Sequence, residues 1–185
     1  MNTDLIFSWS NAYIWVIFMV IIQYVAMLFF KKGGKRAIDI SWYGKKEKII
    51  TRANFLLQFL LIGLSFFVPV QYGCSTMFII GTILYGLSFI GIIAAFYAYG
   101  TTPLNVTVRK SVYRFSRNPM YFFYNLSLVG IILITDYSVW ILVTTILFII
   151  AIHFVILSEE RYCGRTYGTE YLEYTKQTPR YFLFF

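Results

Sequence analysis

Two neighbouring carboxylates follow a long apolar stretch, at a position where an ionised side chain is costly unless it has a partner or a function. The segment "SEERYCGRTYG" contains Glu159 and Glu160, the only adjacent acidic pair in the chain. Neighbouring carboxylates resist joint ionisation unless cations or hydroxyls surround them, so this pair could hold a cationic or hydroxyl-bearing ligand. It could also serve only to neutralise Arg161 and Arg165, and the residues alone leave both interpretations open.

A second polar group, "VYRFSRNPMY", precedes another apolar run. Pro119 disfavours a helical conformation at Asn118 and suits the first turn of a new helix, so Arg117 and Asn118 are predicted to lie just before a helix N-terminus. Free N–H groups and the positive end of the helix dipole favour an anionic ligand group there. Arg117 could instead only anchor the helix at the membrane interface.

His153, the single histidine, lies within an apolar stretch. An ionisable residue at such a position is a candidate for function, although a neutral imidazole bonded to a neighbouring helix is an equal alternative. Cys74 and Cys163 are expected on opposite faces of the membrane, which excludes a disulfide between them. Neither has neighbours at metal-ligand spacing, so we predict no metal site.

The elements that must position these residues are membrane helices. Hydrophobic residues make up 59% of the 185 residues and charged residues 13%, which is outside the range of soluble domains. Stretches long enough to cross roughly 30 Å of hydrocarbon lie at approximately 12–30, 53–70, 77–98, 120–135 and 137–157. Open strands cannot span lipid and barrel alternation is absent. We therefore expect an all-α integral membrane protein with about five transmembrane helices, the last two forming a hairpin.

The basic residues predict the orientation. All 16 Lys and Arg fall within Lys31–Arg52, Arg109–Arg117 or Arg161–Arg180. Five crossings place these segments on one side, which the positive-inside rule makes cytoplasmic, with the N-terminus external. The expected location is the inner membrane of a prokaryote or the endoplasmic reticulum of a eukaryote. We attribute the first segment to orientation and to anionic lipids rather than to nucleic acid, and no obligate protein partner is indicated.

The tail "GTEYLEYTKQTPRYFLFF" predicts one more helix. Gly168 is expected to stop the preceding helix, Thr169 to be the N-cap, and Pro179 to end the element. The apolar and aromatic stripe of this helix consists of Tyr171, Leu172 and Tyr174. Such a helix lies at the membrane interface, either as a lid over a ligand or as a simple anchor.

In their order and spacing, "VYRFSRNPMY", a helical hairpin and "SEERYCGRTYGTEYLEYTKQTPR" resemble the isoprenylcysteine carboxyl methyltransferase and phospholipid methyltransferase superfamily of small integral membrane enzymes. The resemblance covers residues 99–181 and implies one membrane-embedded methyltransferase domain over 1–185. It implies S-adenosylmethionine as methyl donor, bound on the cytoplasmic side by residues 99–121 and 158–181. The implied acceptor is lipophilic and enters from the bilayer: a prenylcysteine carboxylate, a phospholipid amine or a thiol.

The resemblance also implies site residues. Cofactor contacts are assigned to Gly100, Tyr113, Arg117, Asn118, Pro119, Met120, Tyr121, Glu159, Glu160, Tyr171 and Tyr174. Arg117, Glu160 and His153 are the candidates for catalytic roles. An ionised carboxylate or thiolate acceptor needs no base, whereas a lipid ammonium must lose a proton, for which Glu160 or His153 is available.

Two departures from the family pattern lie in residues 99–121, which we call the motif loop. Asn118 stands where the motif more usually has histidine, and Ser111 stands where many relatives have glycine. Two other functions remain open: a sterol-type NADPH reductase, because "RYCGRTYG" is similar to the tail of those enzymes, and a non-catalytic membrane scaffold. Binding of S-adenosylmethionine discriminates among the three.

Overall fold

The computed structural model describes residues 3–30, 41–104 and 106–182 and is all-α, as predicted. Within these ranges the chain forms six α-helices and one short 3₁₀ helix. They are α1 (Tyr13–Phe29), α2 (Lys45–Ser65), α3 (Thr76–Gly100), the 3₁₀ helix (Ser111–Arg114), α4 (Pro119–Ile134), α5 (Val139–Tyr167) and α6 (Thr169–Gln177).

Three of these helices, α2, α3 and α5, are long and apolar enough to cross a membrane. The apolar helices α1 and α4 are shorter, at 17 and 16 residues. With a rise of 1.5 Å per residue, α4 reaches roughly 24 Å, less than the roughly 30 Å of a typical hydrocarbon core. The protein is thus an integral membrane protein with three long candidate spans and two shorter apolar helices.

Helix bounds differ from the prediction mainly where a helix continues beyond its apolar stretch. Helix α2 begins at Lys45 rather than near residue 53, since the Lys and Glu residues of its first turns favour helix. It ends at Ser65 rather than near residue 70, because Pro69 disfavours helical conformation in the residue before it. Helix α5 continues past 157 to Tyr167. The acidic pair is therefore helical.

The start of α6 corrects one capping assignment. Gly168 ends α5 as predicted, in a left-handed conformation with φ of 57°. The same glycine, and not Thr169, is the N-cap residue of α6, and no side chain caps that end. A residue without a Cβ adopts this backbone conformation at little cost, so one position ends one helix and begins the next.

Consecutive long helices alternate in direction between two ends of the bundle. At one end the Ala12 N–H donates to the Val68 carbonyl (3.0 Å) and the Gln71 N–H to the Ile134 carbonyl (2.8 Å). At the other end, Arg161 pairs with Glu47 at 3.4 Å. We call this second end the basic end, because it holds the described Lys and Arg residues, all of which lie within 45–52, 109–117 and 161–180. The rest of the predicted basic loop, 31–40, lies outside the described residues.

Close packing of α3 on α4 fixes the helix that follows the motif loop. Gly81 and Gly130 face each other, and a Cβ built on Gly81 would lie 2.7 Å from the Gly130 carbonyl oxygen. Small residues let two helix backbones approach in this way. Helix α1 joins the pair through Ser127, whose hydroxyl donates to the Met19 sulfur. Helix α4 is therefore held from two sides.

Candidate functional site

The motif loop delivers Asn118 to the acidic pair. Asn118 is the N-cap residue of α4 and Pro119 its first residue, as predicted, yet the Asn118 side chain makes no capping bond. Its backbone N–H donates to the Ser116 hydroxyl at 3.1 Å. Its Nδ2 donates to Glu160 Oε1 at 3.0 Å. The residue in the position of the family's histidine thus acts as a hydrogen-bond donor between α4 and α5.

Glu160 is bonded to two arginines. Arg117 Nε donates to Glu160 Oε1 at 3.2 Å, and these side chains are only 7% and 12% exposed. Arg180 Nε and Nη2 lie 3.0 and 2.9 Å from Oε2. The hydrogen bond to Glu160 raises the pKa of Arg180 above its ordinary value. A buried ion pair is retained when several hydrogen bonds offset its desolvation, and these contacts provide them.

The chain after α6 is bound along the motif loop. The Arg117 N–H donates to the Pro179 carbonyl at 2.9 Å, and the Ser116 hydroxyl donates to the Arg180 carbonyl at 3.0 Å. Arg117 Nη1 donates to the Thr175 carbonyl at 3.0 Å. Arg117 therefore holds the tail through both its backbone and its guanidinium.

Helix α6 is fixed on the same loop by its aromatic residues. Tyr174 is buried and donates its hydroxyl to the Tyr113 carbonyl at 2.6 Å. Burial raises the pKa of Tyr174 well above its ordinary value, so the phenol stays protonated and remains a donor. Tyr171 is buried beside it, whereas Leu172 is 54% exposed. The two tyrosines of the predicted stripe are therefore buried, and Leu172 is its more exposed member.

A cavity of about 410 Å³ lies where the loop, α5 and the tail meet. This volume is within the usual range of small-molecule sites. The lining residues are Arg117, Leu157, Glu160, Arg161, Gly164, Tyr171, Leu172, Thr175 and Arg180. Three of the predicted site residues, Arg117, Glu160 and Tyr171, thus line a single cavity.

Glu159 has different surroundings from Glu160. Successive residues of a helix point about 100° apart, and Glu159 accepts a hydrogen bond from the Tyr121 hydroxyl at 2.7 Å. It also interacts electrostatically with Tyr43, the residue before the Gly44 cap of α2. In the described part of the chain, the arginine ion pairs of these two carboxylates go to Glu160. The two glutamates therefore divide between an arginine-rich side and a tyrosine-rich side.

The remaining predicted residues lie around these two groups. His153 Nδ1 is 2.7 Å from the Tyr181 hydroxyl, one residue beyond Arg180. Gly100 packs against Phe30, where a Cβ would lie 2.5 Å from the Phe30 Cβ. Met120 packs between two apolar clusters. Packing accounts for Gly100 and Met120, and His153 lies next to the tail.

Sequence reasoning missed several residues that line the cavity, among them Arg161, Thr175 and Arg180. Arg180 carried no signal of its own, because a single arginine in a basic tail is indistinguishable from a charge that sets orientation. Thr175 contributes its backbone carbonyl, and a side-chain pattern contains no information about that group.

Fold and site together define a small integral membrane protein with a polar small-molecule site at the basic end of its helices. A family model described as "Phospholipid methyltransferase" matches residues 70–170, more than half of the chain, and the chain belongs to this family. It is therefore an S-adenosylmethionine-dependent membrane methyltransferase, and the resemblance of its motifs is confirmed. The reductase and scaffold alternatives give way to this assignment. No curated protein and no solved structure matches the chain.

The cavity residues fit the cofactor that the family uses. S-adenosylmethionine carries a carboxylate, an ammonium, a sulfonium, ribose hydroxyls and an adenine ring. Arg161 and Arg180 would bind the carboxylate, Glu160 would accept bonds from hydroxyl or ammonium donors, and the Tyr171 ring offers an aromatic face for the base. The cavity residues thus offer partners for the carboxylate, for hydroxyl or ammonium donors and for the adenine ring.

Proposed function

We propose that the protein transfers a methyl group from S-adenosylmethionine to the amino group of a phospholipid that reaches the site from the bilayer. The observation that carries this proposal is the contrast between the two glutamates. Glu160 is bonded to Arg117, Arg180 and Asn118. Glu159 is bonded to the neutral Tyr121 hydroxyl. One carboxylate is thus committed to structure and cofactor, and the other is available to the acceptor.

Among the residues that the structure describes, the arginines pair with Glu160 and not with Glu159. A carboxylate in such surroundings suits an amine better than it suits the other acceptors. An ammonium group has no lone pair and must lose a proton before it can attack, so it needs a nearby proton acceptor. Glu159 attracts the ammonium and can accept its proton, while Tyr121 orients the carboxylate. A prenylcysteine carboxylate or a thiolate would instead be repelled by Glu159. The proposal therefore gives the role of base to Glu159, in place of the earlier candidates Glu160 and His153.

The rest of the site positions the reactants and keeps water out. S-adenosylmethionine, when bound, supplies an electrophilic methyl group. The chain contributes alignment and a dry site, which are the main requirements of an in-line displacement. Arg117 and Glu160 join the motif loop to α5, and the buried Tyr171 and Tyr174 close the tail over the same side. No covalent intermediate on the protein is needed.

An acceptor screen tests the proposal. The purified protein is incubated in detergent micelles with methyl-labelled S-adenosylmethionine and, separately, with phosphatidylethanolamine, a prenylcysteine or a small thiol. We expect label in the extracted phosphatidylethanolamine product. Phosphatidylcholine is the matched control, since its nitrogen already carries three methyl groups and cannot be labelled. Label on the prenylcysteine or the thiol with none on phosphatidylethanolamine would contradict the proposal.

A further inference from the structure

A second cavity, of about 240 Å³, opens beside the first turns of α2. It is lined by Tyr43, Lys48, Thr51, Arg52 and Phe55. The four α2 residues are spaced three and four apart, so they share one face of the helix. The cavity lies outside residues 70–170, the part of the chain that the family model matches.

The lining chemistry matches a phosphodiester at the membrane surface. Two cations and a hydroxyl provide charge-assisted donors for phosphate oxygens. Arg52 is the last charged residue before an uncharged run from 53 to 108, so it marks the level at which α2 enters the apolar region. Phe55, Leu56 and Phe59 follow it and are 48%, 69% and 68% exposed. Residues that suit a polar headgroup and residues that suit acyl chains therefore lie on consecutive turns of one helix.

One residue, Tyr43, connects the cavity with the carboxylate assigned to the acceptor. Tyr43 lines the cavity and is 8% exposed. Burial, with a further contribution from the Glu159 charge, raises the pKa of Tyr43 to about 12. Two contacts fasten this segment to α5: Trp42 stacks on Tyr162 with ring centroids 4.3 Å apart, and Arg161 pairs with Glu47. Tyr43 thus lines the basic cavity and also interacts electrostatically with Glu159.

We propose that this cavity binds the phosphodiester of the phospholipid acceptor, with Lys48 and Arg52 as the phosphate ligands. The inference rests on the proposed function and adds the source of its selectivity. In phosphatidylethanolamine two carbons separate the phosphate from the nitrogen, so a phosphate beside Arg52 directs the amine toward Tyr43 and Glu159. The enzyme should therefore prefer a phosphate-linked amine to a simple lipophilic amine.

Binding without turnover tests this assignment separately from the reaction. The affinity for a short-chain phosphatidylethanolamine is measured by calorimetry on the full-length protein in detergent. Arg52→Gln and Lys48→Gln should each weaken it roughly tenfold, the usual scale for one charge-assisted contact. Lys46→Gln, on another face of the same helix, is the matched control and should bind as wild type. Arg52→Lys keeps the charge that orients the protein and should fall between wild type and Arg52→Gln.

Each outcome has one meaning. Equal affinity in wild type, Arg52→Gln and Lys48→Gln overturns the inference and returns these residues to orientation alone. Inorganic phosphate binding as tightly as the lipid, and displacing it, also overturns it, because the site would then bind a free anion. Normal lipid binding by wild type with no methylation of that lipid counts against the proposed function and not against this site. In the active enzyme we expect KM for the phospholipid to rise in Arg52→Gln while the affinity for S-adenosylmethionine is unchanged.

Discussion

At the scale of single residues, Arg117 is bonded in three directions. Its backbone N–H donates to Pro179, its Nε to Glu160 and its Nη1 to Thr175. The sequence predicted either an interface anchor or an anion ligand, and in the structure the guanidinium connects the loop, α5 and the tail. A guanidinium presents its donors in a fixed plane, which a lysine ammonium cannot reproduce.

Replacing this arginine by lysine separates the site role from an anchoring role. We expect Arg117→Lys to insert and fold but to lose roughly tenfold or more in kcat/KM for methyl transfer, on the order of 1.4 kcal/mol. Arg114→Lys, in the same loop with an exposed side chain, is the control and should keep its activity. Full activity of Arg117→Lys would show that a positive charge alone is enough at this position.

At position 118 the family's usual histidine is replaced by asparagine, and this removes a titratable group. The family's usual histidine titrates near neutral pH, whereas an amide does not. Asn118 keeps a donor toward Glu160, and this amide donor stays uncharged at every physiological pH. The sequence predicted that the Asn118 side chain can form a hydrogen bond, and the structure identifies Glu160 as the acceptor.

At the scale of elements, prediction succeeded where a local signal was strong. Pro119 begins α4 and Gly168 ends α5, each through its own backbone preference. Ser111, in the place of the family's glycine, has φ of 55°, the left-handed region in which glycine is favoured. The predicted bounds of α2 and α5 were inaccurate, because hydropathy marks the part of a helix in lipid and not its continuation into water. The contacts of Arg180 with Glu160 were not predicted, because they join residues that no local pattern relates.

The contact between α3 and α4 can be tested with two glycines of α3, of which only Gly81 packs against α4. Gly81→Ala would place a Cβ 2.7 Å from both the Gly130 oxygen and an Ile134 methyl carbon, and backbone cannot move aside cheaply. We expect a loss of about 1–3 kcal/mol in the free energy of unfolding, measured as a lower Tm in detergent. Gly86 lies on the same helix with nothing within 4 Å of a built Cβ. Gly86→Ala should therefore be neutral or raise Tm through helix propensity, and equal effects of the two changes would contradict this packing.

At the scale of the whole molecule, charge is separated along the bundle. The described Lys and Arg residues lie at the basic end, and so do the two cavities. Charges of the kind that orient a membrane protein thus also line both cavities. Composition predicted the membrane class, and the spacing of the basic residues predicted one charged end. Neither could tell which cations line a cavity and which only face water.

Orientation in the membrane is the whole-molecule prediction. If all five apolar helices cross, the N-terminus is external and the C-terminus cytoplasmic, since the basic end faces the cytoplasm. Reporter tags at the two termini, assayed in intact cells, should therefore give opposite sides. Both tags on the same side would mean an even number of crossings, and the short helices α1 and α4 would be the first to re-examine.

The division of labour between the two glutamates is tested most directly by one paired measurement. In Glu159→Gln and Glu160→Gln, the affinity for S-adenosylmethionine is measured by calorimetry, and methyl transfer to phosphatidylethanolamine is measured at saturating cofactor. Glu173→Gln, exposed on α6, controls for the loss of one carboxylate. We predict that Glu160→Gln weakens cofactor binding by about 1.5–3 kcal/mol. Glu159→Gln should bind the cofactor as wild type but lose at least roughly a hundredfold in kcat, the scale of a missing general base. Normal turnover in Glu159→Gln, or equal loss of cofactor affinity in both variants, would contradict the assignment.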